Sequence, residues 1–242
     1  MTILSINANK IALLRNSRGR DYPGVLEFVE QVLAMGVKGI TVHPRPDERH
    51  ITRQDVRDIS QFLKKHPQVE FNIEGYPTSE FLDLVVSVRP AQCTLVPDHP
   101  DQLTSDHGWD VTAHQALLKR VTDRLRQAGI RSSLFIDPSP QQVSLVPSVG
   151  ANRIELYTEN YAVNFGTARQ DAVLAQYRST ADRAHALGIG INAGHDLNLQ
   201  NLPAFLEIPR ILEVSIGHAL IVESLQFGLP AVVSRYLAIT GG

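Results

Sequence analysis

Gly36-Val37-Lys38-Gly39-Ile40-Thr41-Val42-His43-Pro44-Arg45 runs from a helix stop through a short β-branched segment to a polar tip. Upstream, Val25, Phe28, Val29, Val32 and Leu33 recur three and four apart, which predicts an amphipathic helix ending at Gly36. Downstream, Thr52 is a candidate cap for a second helix through Val56, Ile59 and Leu63. The stretch therefore reads as one buried strand with a covering helix on either side.

The same unit recurs along the chain. Strand-like segments lie near Ile3, Gly39, Glu70, Gln92, Ser132, Arg153, Ile189 and Ile211. Their mean spacing of about 30 residues is that of a strand-plus-helix repeat. Val173, Leu174, Tyr177, Ala181 and Ala184 mark a long helix closed by Gly188, and Pro97 to Asp110 reads as an irregular loop. Eight such units predict an α/β fold, a (β/α)8 TIM barrel in one domain over residues 1–242, with a packed core inside the strands and helices outside. A doubly wound open sheet is the runner-up. Asn7-Ala8-Asn9-Lys10 follows the first strand, where a dinucleotide fold would carry Gly-x-Gly-x-x-Gly, and the Walker glycines are also missing.

Composition narrows the partners. The 242 residues hold 23 Lys+Arg against 25 Asp+Glu, a net charge of −2, which argues against a nucleic-acid surface. With 43% hydrophobic and 20% charged residues the chain is an ordinary globular one, neither disordered nor fibrous. The single cysteine, Cys93, cannot close an intrachain disulfide and reads as buried strand filler. The first twenty residues lack the pattern of a signal peptide, and no apolar run is long enough to span a bilayer. A cytoplasmic protein acting on small molecules is the expectation.

In a barrel, chemistry gathers where strands end. The strand ends here carry Asn7, His43, Glu74, Glu155, His195 and His218. Any one histidine has a structural reading, but three histidines and two glutamates at one edge would converge on a single mouth. Gly217-His218 opens a helix directly after the eighth strand, a geometry suited to phosphate. Arg18 and Arg45 are candidate anion forks, and His50 is placed to fold back over the mouth. A metal-dependent phosphoesterase is one alternative, although no His-x-His pair follows a strand and Arg45 would repel a cation. Lys10 raises a Schiff-base aldolase, but its position suggests a loop more than a dry pocket. A non-catalytic sugar-phosphate-binding barrel is a third reading.

Five segments carry a resemblance: Leu14-Arg15-Asn16-Ser17-Arg18-Gly19; Ile40 to Arg45 with Arg49-His50-Ile51-Thr52; Ser133-Leu134-Phe135-Ile136-Asp137; Ile191-Asn192-Ala193-Gly194-His195; and Ile216-Gly217-His218-Ala219. With them in this order the chain resembles the pyridoxine 5'-phosphate synthase family nearly end to end. The resemblance implies a cofactor-free barrel with extra helices, a homo-octamer built as a tetramer of dimers, and no metal. It implies condensation of 3-amino-2-oxopropyl phosphate with 1-deoxy-D-xylulose 5-phosphate to pyridoxine 5'-phosphate, phosphate and water. By motif, His43 and Glu74 match general acid/base residues, His195 a proton donor, and Glu155 a residue that stabilises an intermediate. Asn7, Arg18, Gly217 and His218 match the amino-ketone phosphate site, whereas Arg45, His50 and Thr104 match the deoxyxylulose phosphate site. Two departures stand out. Asn9-Lys10 replaces an Asp-His pair that touches the deoxyxylulose phosphate, and Asp196 replaces a glycine whose backbone meets a phosphate, so all three are candidate substrate contacts.

Overall fold

The computed structural model describes residues 1–98 and 105–241. Eight strands pair in sequence order and close on themselves: β1 (Ile3–Asn7), β2 (Gly39–Val42), β3 (Glu70–Gly75), β4 (Gln92–Leu95), β5 (Arg131–Ile136), β6 (Arg153–Tyr157), β7 (Gly190–Gly194) and β8 (Ile211–Ile216). Every neighbouring pair is parallel, and β8 returns to β1 with Ile6 opposite Ile216. The expected barrel is present, and each strand starts at or within a residue of its anticipated place.

The helices are α1 (Asn9–Asn16), α2 (Val25–Ala34), α3 (Arg53–Leu63), α4 (Ser79–Val88), α5 (Val111–Gln127), α6 (Pro140–Val143), α7 (Val146–Val149), α8 (Glu159–Asn164), α9 (Gln170–Ala186), α10 (Leu202–Phe205), α11 (His218–Phe227) and α12 (Leu229–Thr240). Thr52 caps α3 as anticipated, in a reciprocal pair with Asp55. Gly36 and Gly188 take the left-handed conformation just beyond α2 and α9, at φ +99° and +70°, and end them. The helix after β8 is split. Gly228, at φ +82°, breaks it and α12 begins with Leu229-Pro230. None of the helices among the described residues is long and apolar enough to cross a membrane.

The side chains packed inside the strands are largely polar. Alternation sends Phe71 and Ile73 of β3, Ile154 and Leu156 of β6, and Ile191 and Ala193 of β7 outward into a dry layer under the helices. The intervening residues face a polar lumen. Thr94 Oγ1 donates to Glu155 Oε2 at 3.3 Å, from β4 to β6, and Asn192 Nδ2 donates to Gln92 Oε1 at 3.2 Å, from β7 to β4. These strands are not neighbours, so both bonds cross the barrel. At the N-terminal pole Arg131 pairs with Glu70, while Arg153 Nη1 lies 3.6 Å from Glu213 and donates to Asn192 Oδ1 at 3.1 Å. Polar groups are tolerated here because most of them bind one another.

Candidate active site

The C-terminal ends of the strands form a rim that holds most of the anticipated residues. Asn7 ends β1, and its Oδ1 accepts the Asn9 amide at 3.0 Å, starting α1. Asn9 Oδ1 accepts the His43 amide at 2.9 Å, which ties the end of β2 to β1. Lys10 is exposed in the first turn of α1, a helix where a loop was expected. Gly217 precedes α11; an added Cβ there would lie 3.1 Å from Asn7 Cβ, so the missing side chain lets β1 and β8 close at the rim. His218 and Arg18 are exposed, and Thr104 lies outside the described residues.

His43 is buried, and its ring centroid lies 6.1 Å from that of His50. Burial, then the cations of Arg45, the neighbouring His50 and Arg49, hold His43 well below the usual imidazole range. His50 is pushed down to about 4 by burial and by Arg45, Lys10 and Arg49. Its Nδ1 accepts the Ile51 amide at 2.9 Å, so the neutral ring carries its hydrogen on Nε2, where it can be donated. Arg45 is buried in an ion pair with Asp98, which also accepts Ser105 Oγ at 2.8 Å. A cavity of about 240 Å³ opens here, with His43, Arg45, Tyr76 and Asp98 in its wall.

Three carboxyls share the lumen beneath. Glu74 is raised well above the ordinary carboxylate range by burial and by Glu155, Glu213 and Asp98, with Arg45 opposing. Burial and Glu213 push Glu155 up to about 8, against the Thr94 hydrogen bond. Glu213 itself is pushed up to about 7 by burial, with Arg153 opposing. Burial and like charge make simultaneous ionisation costly, which favours the protonated forms of these carboxyls.

His195 and Asp196 follow β7 in the left-handed region, at φ +84° and +60°. Non-glycine residues adopt such angles at a cost, and surrounding bonds must hold them. Thr158 Oγ1 shares its one hydrogen between the carbonyls of Gly194 (2.8 Å) and His195, and Asn201 Nδ2 donates to the Asp196 carbonyl at 3.1 Å. His195 Nδ1 meets Asp196 Oδ2 at 3.0 Å, and the ring stands edge-on to Tyr157, 4.9 Å between centroids. Tyr157, Val96 and Phe135 form an apolar cluster apart from the main core.

Some contributors were missed in the sequence. Arg15 pairs with Asp55 and donates to the His50 carbonyl at 3.2 Å, and Asn16 Nδ2 donates to that carbonyl at 2.8 Å. The Leu14-to-Gly19 segment thus anchors the His50 loop. Thr94, Asp98 and Glu213 were also missed; the polar alternation of the strands could have flagged Thr94 and Glu213, whereas Asp98 lies beyond the end of β4. Cys93 is buried filler as expected, its thiol pushed up by burial and by Glu74. Among the described residues, no cluster of three or more His, Cys, Asp or Glu side chains is placed to hold a metal ion.

Fold and rim together define a (β/α)8 barrel with an acid–base mouth. Similarity narrows that class. Residues 4–241 match the family model described as pyridoxal phosphate biosynthesis protein PdxJ, and the chain belongs to that family. It is 50% identical over 240 residues to the pyridoxine 5'-phosphate synthase of Christiangramia forsetii, covering 99% of both chains. It is 48% identical over 243 residues to that of Allorhizobium ampelinum, covering 98% of this chain and 97% of the other. Among solved structures it resembles a mutant tryptophan synthase α-subunit from Pyrococcus furiosus, with TM-score 0.63, 13% identity, and coverage of 100% and 98%. At that identity the likeness concerns the fold alone.

Proposed function

We propose that the chain is a pyridoxine 5'-phosphate synthase, joining 3-amino-2-oxopropyl phosphate to 1-deoxy-D-xylulose 5-phosphate by acid/base catalysis. One observation carries this reading: His43 and His195 follow β2 and β7 at the rim, and Glu74 and Glu155 lie buried on β3 and β6 in the lumen beneath them. The amine of one substrate and the ketone of the other can form their own imine, expelling water, so the protein needs only to move protons. His43, kept uncharged, accepts a proton from the substrate, Glu74 returns one to a leaving oxygen, Glu155 steadies the intermediate, and His195 donates to it. The reaction releases phosphate and water.

In this reading, Arg45, His50 and Thr104 hold the deoxyxylulose phosphate, with Asn9 and Lys10 at its edge. Asn7, Arg18, Gly217 and His218 hold the amino-ketone phosphate, where the first turn of α11 offers backbone amides. The chain acts as one catalytic domain in the cytoplasm, on phosphorylated small molecules and without a cofactor. It assembles as a homo-octamer: Leu13, Leu14, Leu225 and Phe227 leave apolar surface exposed on the adjoining helices α1 and α11, which a second copy would cover.

The test is a purified-protein assay with both substrates. Product should form without added metal and survive chelation, whereas His195→Ala and Glu74→Gln should fold and turn over at least about a hundredfold more slowly. Failure to make pyridoxine 5'-phosphate would sink the proposal. Light scattering after gel filtration tests the octamer.

A further inference from the structure

His195 and Asp196 form a contact between chain neighbours that ordinary backbone does not favour. Consecutive left-handed φ angles of +84° and +60° bring the Asp196 carboxylate to His195 Nδ1 at 3.0 Å. The strain is held by Thr158 and Asn201 through the carbonyls of Gly194, His195 and Asp196, so the geometry is built rather than incidental. Tyr157 stands edge-on to the imidazole and limits its tilt. We propose that Asp196 is a positioning residue: its carboxylate fixes His195 by Nδ1 and assigns proton exchange with the substrate to Nε2. The catalytic part rests on His195 being the proton donor of the synthase; the dyad itself does not.

The proton inventory is simple. Imidazolium His195 carries hydrogen on both nitrogens, and donation breaks the Nε2–H bond while Nδ1–H stays on Asp196 Oδ2. The ring is left as the neutral Nδ1–H form, ready to be recharged at Nε2 by the next proton. Without the carboxylate, a neutral imidazole favours the opposite form, hydrogen on Nε2, and nothing reserves that nitrogen for exchange with the substrate.

The groups around the pair suit the arrangement. Asp196 is held below the usual carboxylate range by the His195 hydrogen bond, with His218 on α11 and Lys10 on α1 adding to it, so it stays anionic at neutral pH. Tyr157 is pushed up by burial and by Glu159, which accepts its hydroxyl, with Asp196 and Asp106 adding; it stays uncharged. Lys10 acts on Asp196 through its charge from the first turn of α1. Two of the positions where this chain departs from the familiar pattern thus bear opposite charges within one field.

The experiment compares wild type with Asp196→Ala and Asp196→Glu by steady-state kinetics and by long-range nitrogen–proton NMR of histidine-labelled protein, His195 being assigned with His195→Gln. The expected result is a fall in kcat of at least about tenfold in Asp196→Ala, with KM for each substrate changed by less than about threefold. Neutral His195 should pass from the Nδ1–H to the Nε2–H form, and glutamate should restore part of both. An unchanged tautomer in Asp196→Ala overturns the proposal, as does a loss confined to KM for one substrate, which would make Asp196 a substrate contact. Should wild-type protein make no product, the synthase reading falls while the tautomer measurement still decides the dyad.

Discussion

The Cβ that Gly194 lacks would lie 2.4 Å from Glu155 Oε1, so the end of β7 accommodates the carboxylate on β6 only because position 194 is bare. Gly194→Ala should therefore push Glu155 off its bond with Thr94 and lower kcat by at least about tenfold. Steady-state kinetics with a circular dichroism check on folding measures it. A wild-type kcat would show that the carboxylate's place is not critical.

Arg45 and Asp98 form a buried ion pair just beyond the ends of β2 and β4. Removing one partner strands the other's charge, so Arg45→Met should cost about 3 kcal/mol or more of stability, and Arg45→Met with Asp98→Asn should recover over half of it. Urea titration of the four proteins in the cycle measures the coupling. Additive losses would show that the pair does not act as a unit.

The contribution of Glu155 to stability should fall as pH rises. Glu155 is held at about 8, against an ordinary 4.5, so between those values the folded chain keeps a proton that the unfolded chain has released. That contribution is fully present below the lower value and is lost up to the higher one, at a slope of at most about 1.4 kcal/mol per pH unit for one proton, whereas His43 and His50, held low in the fold, act in the opposite direction at the acid end. Glu213, pushed up to about 7, acts in the same direction as Glu155 over a narrower range. Glu155→Gln should flatten the dependence in urea melts between about pH 5 and pH 8. An unchanged slope would remove Glu155 as its source.

Lys10 places an exposed cation near both His50 and Asp196. Its loss should weaken capture of phosphorylated substrates: Lys10→Gln should raise KM with little change in kcat, and the difference should shrink in high salt. A fall confined to kcat would assign Lys10 to the chemistry instead.

The barrel was legible because strand and helix periods alternate cleanly, as around Gly36 and Thr52. The rim residues were legible because His43, Glu74 and Glu155 interrupt or end apolar strands. What escaped depended on contacts between distant segments. Nothing local tells that Asp98 meets Arg45, that Arg15 and Asn16 hold the His50 loop, or that Glu213 adds its charge to Glu155. The polar character of the lumen escaped for a related reason. Asn72, Gln92, Thr94 and Asn192 look like isolated polar residues in strands until closure of the sheet turns them toward one another.

That lining sets a rule for how the protein can diverge. The greasy sleeve beneath the helices accepts one-at-a-time swaps of similar volume, since dispersion has no direction. Inside the tube Thr94, Glu155, Gln92 and Asn192 answer to partners on other staves, and a lone replacement among them orphans a donor or acceptor across the bore. Drift there should proceed in matched sets, leaving correlated changes on strands that never touch along their edges.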